Sequence, residues 1–191
     1  AAAVANPDLI FLVYHSGFQP GVKEGPYNPA GQGVDRLIEA HRDAGLPRNG
    51  GNLYAELGST WRYFMSRPDE AAHVLGKLLA TFGEERIIWG TDSIWYGSPQ
   101  DQIQAFRAFA ISEEYQDKHG YPALTAEAKR KIFGLNAARV YGLDVPAIRT
   151  SGLISTRRAY RAEPNPSFAT YGPNSRRQFL ALLREHGGRP G

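Results

Sequence analysis

Arg86-Ile-Ile-Trp-Gly-Thr-Asp92 is a short, bulky, β-branched-rich run that stops on Gly-Thr and then presents a carboxylate. Upstream, Leu9-Ile-Phe-Leu-Val-Tyr-His15-Ser-Gly17 has the same construction with an imidazole at its end. Apolar runs of this length, bounded by turn residues, read as strands buried on both faces. Such strands belong to parallel sheets covered by helices, where chemistry gathers at the carboxyl ends of the strands. A His and an Asp at two such ends can share one metal or one proton-transfer site.

Working outward, Leu9–Tyr14 is the first strand. A Gly/Pro-rich loop follows over 16–33, broken by Pro20, Pro26 and Pro29. Connections of that length are usually functional, and it reads as a lid. Val34–Ala44 has helical apolar spacing and stops at Gly45, and Gly51–Leu57 alternates as a second strand. Pro68–Phe82 is a helix with Asp69 and Glu70 in its first turn, favourable to the helix dipole, and Gly83 closes it. The third strand is Ile87–Gly90. Helices are expected over 98–110, with Pro99 at the first position, over 125–132 and over 136–141. The order β-α-β-α-β-α-α is the mark of repeated βαβ units, an α/β fold.

Composition narrows the function classes. The 191 residues are 42% hydrophobic, enough for one domain with a real core. Residues 1–143 hold 14 Lys/Arg and 16 Asp/Glu, a net of −2, whereas 144–191 hold 8 and 3, a net of +5. The basic balance therefore comes from the end of the chain, and the main domain lacks the clustered cations of a nucleic-acid surface. With no cysteine there is no disulfide framework, thiolate nucleophile or Cys-based zinc site. That absence fits cytosol and periplasm alike. No signal peptide is evident and no apolar run nears the roughly 20 residues of a membrane span, so a soluble, cytoplasmic protein is expected. The opening Ala1-Ala-Ala-Val-Ala5 reads as the last turn of a helix, which suggests a fragment or a processed chain. Residues 144–175 read as an extended or disordered tail, followed by a short amphipathic helix over 175–184. Ser175-Arg-Arg-Gln-Phe-Leu180 resembles an export motif in the wrong place, since those motifs sit at N-termini before an apolar segment.

Four pieces in this order resemble the amidohydrolase superfamily: Val13-Tyr-His15-Ser-Gly17-Phe; Gly51-Asn-Leu-Tyr-Ala-Glu56-Leu; Phe82-Gly-Glu-Glu-Arg86-Ile-Ile-Trp-Gly90-Thr-Asp92; and Lys131-Ile-Phe-Gly-Leu-Asn136-Ala-Ala-Arg139-Val-Tyr-Gly-Leu143. The nearest branch is the amidohydrolase-related group with aminocarboxymuconate-semialdehyde and γ-resorcylate decarboxylases. The resemblance implies a domain over 1–143 that is the C-terminal portion of a (β/α)8 TIM barrel of about 250 residues or more. His15 would end strand six, Leu57 strand seven and Asp92 strand eight. The first five β/α units, with the His-x-His pair of strand one and the histidine of strand five, are not in this chain. Metal binding by this polypeptide alone is therefore expected to be weak or absent.

The resemblance makes Asp92 a ligand of a divalent metal, most simply zinc, and the base that takes a proton from bound water. Read from spacing alone, Asp92 serves equally as a helix N-cap. His15 becomes an acid/base or electrostatic partner, against the plain alternative of a hydrogen-bonded structural residue. Glu56 can face the mouth or the core, because alternation permits both. Trp61, Arg62 and Tyr63 follow strand seven and could hold a substrate carboxylate and ring, or simply pack as a loop. Trp95 and Tyr96, just past Asp92, are placed to line a pocket. His41, His73, His119 and His186 are expected to be solvated. The expected activity is hydrolysis or non-oxidative decarboxylation of a small carboxylate-bearing molecule. Neither nucleic acid nor a membrane is expected as a partner. The alternative is a non-catalytic half-barrel that pairs with a partner chain, with the missing barrel half or with itself as a homo-oligomer. A Rossmann-like nucleotide site is disfavoured by the absence of a Gly-rich turn.

Overall fold

The computed structural model describes residues 2–48 and 51–150, with positions 152 and 177. Strands β1 (Phe11–Val13), β2 (Leu53–Glu56) and β3 (Ile87–Ile88) form a parallel sheet in the order β1-β2-β3. The register sets Val13 beside Ala55 and Ala55 beside Ile87, so these three share one face. Leu12, Tyr54, Glu56 and Ile88 share the other. Two right-handed crossovers that step the same way put their helices on a single face. Helices α2 (Val34–Asp43) and α4 (Pro68–Phe82) pack against each other, and α4 lies on β2 and β3. Short α1 (Ala2–Ala5) precedes β1. The core is the layer between Ala55 and Ile87 on the sheet and Ile38, Leu75, Leu78, Leu79 and Phe82 on the helices, all fully buried. No helix among the described residues is long and apolar enough to cross a membrane.

The strands are shorter than the apolar runs suggest, because their ends turn away to build the sheet rim. Tyr14–Gly17 is a 3-10 turn, and β3 ends two residues before Gly90. After β2 the chain makes helix α3 (Gly58–Phe64) rather than a loop. The chain then continues through α5 (Ser93–Tyr96), α6 (Gln100–Ala108) and α7 (Glu113–His119). Helix α7 carries no apolar stripe in the sequence, but Ser112 caps it by accepting from the Tyr115 N–H. Helix α8 (Ala126–Arg130), with Thr125 as its cap, runs through a π turn at Lys131–Leu135 into α9 (Asn136–Val140). Helix α10 (Val145–Thr150) lies within the stretch read as extended. The helix expected over 175–184 falls outside the described residues apart from Arg177.

Two buried polar clamps hold these pieces. Lys77 of α4 donates to Glu24 at 2.7 Å and to Asp35 of α2 at 2.6 Å. Glu24 also accepts from the Val34 N–H at 2.9 Å, so the 18–33 loop is pinned to the helix layer at this point. At the other end, Asn136 donates to the Glu84 and Ile87 carbonyls, each at 2.7 Å, while Arg139 and Lys131 grip Glu85. Those donors hold the Glu85 carboxyl below the ordinary carboxylate range, the Arg139 hydrogen bond most of all. The Asn-Ala-Ala-Arg motif thus fixes the entrance to β3. His41 and His73, expected in solvent, are buried: His41 sits edge-on to Phe82, and His73 Nδ1 bonds the Tyr121 hydroxyl at 2.9 Å.

Candidate functional site

Three strand ends converge on the Glu56 carboxylate. Its Oε2 accepts from the His15 N–H at 3.0 Å and its Oε1 from the Gly58 N–H at 2.7 Å. Each oxygen therefore satisfies a backbone donor of a different segment. The room is made by glycine: a Cβ on Gly90 would fall 1.5 Å from Glu56 Oε1, and one on Gly58 would fall 2.6 Å from His15 Nδ1. The Ser16 hydroxyl returns to the Glu56 carbonyl at 2.7 Å, and the Thr60 hydroxyl donates to the His15 carbonyl at 2.5 Å.

His15, Ser16 and Asp92 have φ of 61°, 49° and 48°, and among the described residues no other non-glycine residue has positive φ. Left-handed backbone costs about 1–3 kcal/mol per such residue and persists where the surroundings over-determine it. Here the Glu56, Ser16 and Thr60 bonds do so. The strain turns two side chains toward each other. His15 Nδ1 lies 3.4 Å from Asp92 Oδ2 and 3.6 Å from Glu56 Oε2. Ser59 completes the group: its N–H points at His15 Nδ1 at 3.3 Å, its hydroxyl donates to Asp92 Oδ2 at 2.6 Å, and Tyr96 OH lies 2.8 Å from that hydroxyl. Nδ1 can therefore accept from Ser59 or, when protonated, face Asp92, an arrangement suited to moving a proton. The His15 side chain is 41% exposed, so the group opens outward.

A profile of the Amidohydrolase family matches residues 1–143. This chain belongs to the amidohydrolase family. No curated protein matches it. A crystal structure of an amidohydrolase from Burkholderia multivorans with bound Zn is similar at 18% identity and a TM-score of 0.42, over 75% of this chain and 47% of that one. The chain thus spans about half the length of that protein.

A catalytic zinc generally takes three protein ligands and keeps a water position open. This chain's rim offers Asp92 and His15, and Asp92 Oδ2 is already engaged by Ser59. Among the described residues no group of three His, Cys, Asp or Glu side chains can hold a metal ion. The donor set present here does not by itself fit the metal.

The remaining expected site residues separate cleanly. Arg62 and Tyr96 line one cavity of about 310 Å³ with Tyr63, Ser66 and Arg67. The Arg62 guanidinium lies 5.6 Å from the Tyr96 ring centroid. Trp61 is a correction: its indole is buried in the core, donates to the Gln102 carbonyl at 2.9 Å and packs edge-on to Phe106 and Phe109. Helical geometry turns it inward, away from Arg62. Trp95 is 79% exposed on α5 and stands outside the cavity that Arg62 and Tyr96 line. Ser59 and the central role of Glu56 escaped the sequence reading. The Gly58-Ser59-Thr60 run, separated from the strand-end Glu56 by Leu57 alone, was the available signal.

Proposed function

We propose that this chain supplies the strand-six to strand-eight rim of a metal-dependent amidohydrolase-type barrel that acts on a small carboxylate-bearing molecule. The observation that carries the reading is the meeting of His15 and Asp92 at 3.4 Å over a shared Glu56 support, on backbone held left-handed. In hydrolysis Asp92 takes the proton of the attacking water and passes it to the leaving group, with His15 steadying the charge that develops; in decarboxylation His15 gives its proton to the carbon whose bond to the departing CO2 breaks. Arg62 and Arg67 share a cavity with Tyr96, whose hydroxyl is linked to Asp92 through Ser59, and offer cations to a substrate carboxylate. The other metal ligands come from β/α units outside this sequence.

The test uses the intact enzyme that contains this segment. Asp92→Asn is expected to lower kcat by about 10²–10⁴-fold while Trp95→Ala leaves it within a few-fold. Unchanged turnover in Asp92→Asn overturns the reading.

One observation favours a second reading, a half-barrel that works by assembly. Val4, Leu9, Ile10 and Tyr14, around the outer margin of β1, are all about half exposed or more. An uncovered edge strand with apolar neighbours asks for a partner. Metal-free oligomers without turnover support that reading; stoichiometric zinc with turnover supports the enzyme.

A further inference from the structure

Outside the rim, the helix layer carries an open cavity of about 840 Å³ between α6, α8, α9 and α10. Its floor is Trp89, Phe133, Leu143 and Val145, and Leu143 is more than half exposed. Four cations stand among its lining residues, Arg107, Lys129, Arg130 and Arg149, and no acidic residue does. Arg130 is paired with Glu127, but Arg107 and Arg149 have no ion-pair partner among the described residues. Lys129 donates to the Arg107 carbonyl at 2.7 Å, and burial lowers its pKa. Lys129, partly buried against apolar surface with no carboxylate beside it, gains more from an incoming anion than the exposed Arg107 and Arg149 do.

We propose that this groove binds a free amphipathic carboxylate, with its aliphatic chain on the Trp89–Phe133 floor and its head among Arg107, Lys129 and Arg149. The size falls in the range of small-molecule sites, about 300–1,000 Å³. Apolar lining sets affinity and the single sign of charge selects the head group. The groove lies on the helix side of the sheet. Trp89 packs there against Phe106 and Phe133, so the proposal stands or falls separately from the chemistry of His15 and Asp92.

The experiment is a titration of the full chain with octanoate, decanoate and dodecanoate below their micellar concentrations, followed by calorimetry and tryptophan fluorescence. Decanol and decyltrimethylammonium are the controls. Saturable one-to-one binding of the carboxylates is expected, tightening roughly fourfold for each added methylene that is buried. The double variant Arg107→Ala/Arg149→Ala is expected to weaken decanoate about tenfold and decanol less than twofold. Phe133→Ser is expected to weaken both, with circular dichroism and the melting curve of each variant confirming a folded chain. Equal binding of decanol and decanoate, binding of the cationic amphiphile, or no change in the double arginine variant overturns the proposal.

Discussion

Where the 18–33 loop meets the helix layer, Lys77 Nζ lies 2.7 Å from Glu24 and 2.6 Å from Asp35, with all three side chains under 10% exposed. At the strand ends, His15 Nδ1 lies 3.4 Å from Asp92 and 3.6 Å from Glu56, and the imidazole is 41% exposed. Both clusters set one nitrogen base between two carboxylates. The first is closed: donors and acceptors are matched and its negative surplus is felt by buried Tyr121, whose phenol is pushed up to about 12, first by burial and then by Asp35 and Glu24. The second is loose, rests on strained backbone and faces outward. The closed cluster holds a loop in place, whereas the open one has capacity left for something else.

The largest expected effect tests that contrast. Lys77→Met leaves two buried carboxylates uncompensated and is expected to cost about 3–5 kcal/mol of stability. His15→Gln, at an exposed side chain, is expected to cost about 1 kcal/mol or less. Urea unfolding of the two variants measures both. Similar losses would erase the distinction between a structural and a functional cluster.

The same contrast explains what could be read in advance. Buried parallel strands announce themselves by continuous apolar runs, and the turns that stop them put His15 and Asp92 at one rim. Lys77 gave no such notice. A lysine in a helix reads as a solvated charge, and only the tertiary approach of Glu24, 53 residues away, makes it a buried pin. Trp61 misled for the same reason: an aromatic beside an arginine after a strand fits a pocket or a core, and helical phase decides between them. Glu56 was ambiguous because alternation alone leaves both faces of a strand open to a carboxylate. The glycines at 58 and 90 that make room for it have no meaning until the neighbouring strands are in register.

Glu56 lies between the two extremes, buried like the closed cluster but part of the open one. Replacing it with Gln keeps the shape and removes one acceptor, so that an amide NH2 faces either the His15 or the Gly58 N–H. A buried backbone donor left unmatched costs about 1–3 kcal/mol. Glu56→Gln is therefore expected to lose that much in denaturant unfolding and to speed hydrogen exchange at the His15 or the Gly58 amide. Exchange unchanged at both amides would show that the left-handed turn is held by Ser16 and Thr60 instead.

The smallest effect concerns the bases that the helix layer keeps neutral. Burial lowers the pKa of His41 and of His73 from the usual 6.5, with Arg42 adding to the first and His119 and Lys77 to the second. In the unfolded chain both titrate near 6.5, so below that pH the unfolded state binds more protons than the folded one. Their contribution to stability is thus complete above 6.5 and is lost as the pH falls through 6.5 toward the lowered folded values. The denaturation midpoint is expected to drop between pH 7.5 and 5.5. In His41→Gln/His73→Gln the drop is expected to be shallower, since glutamine does not titrate and can still bond the Tyr121 hydroxyl. If the slope stays the same in the double variant, the proton uptake belongs elsewhere. The helix layer excludes charge from its histidines by packing them against Phe82 and Tyr121, while the rim leaves its own histidine open among carboxylates.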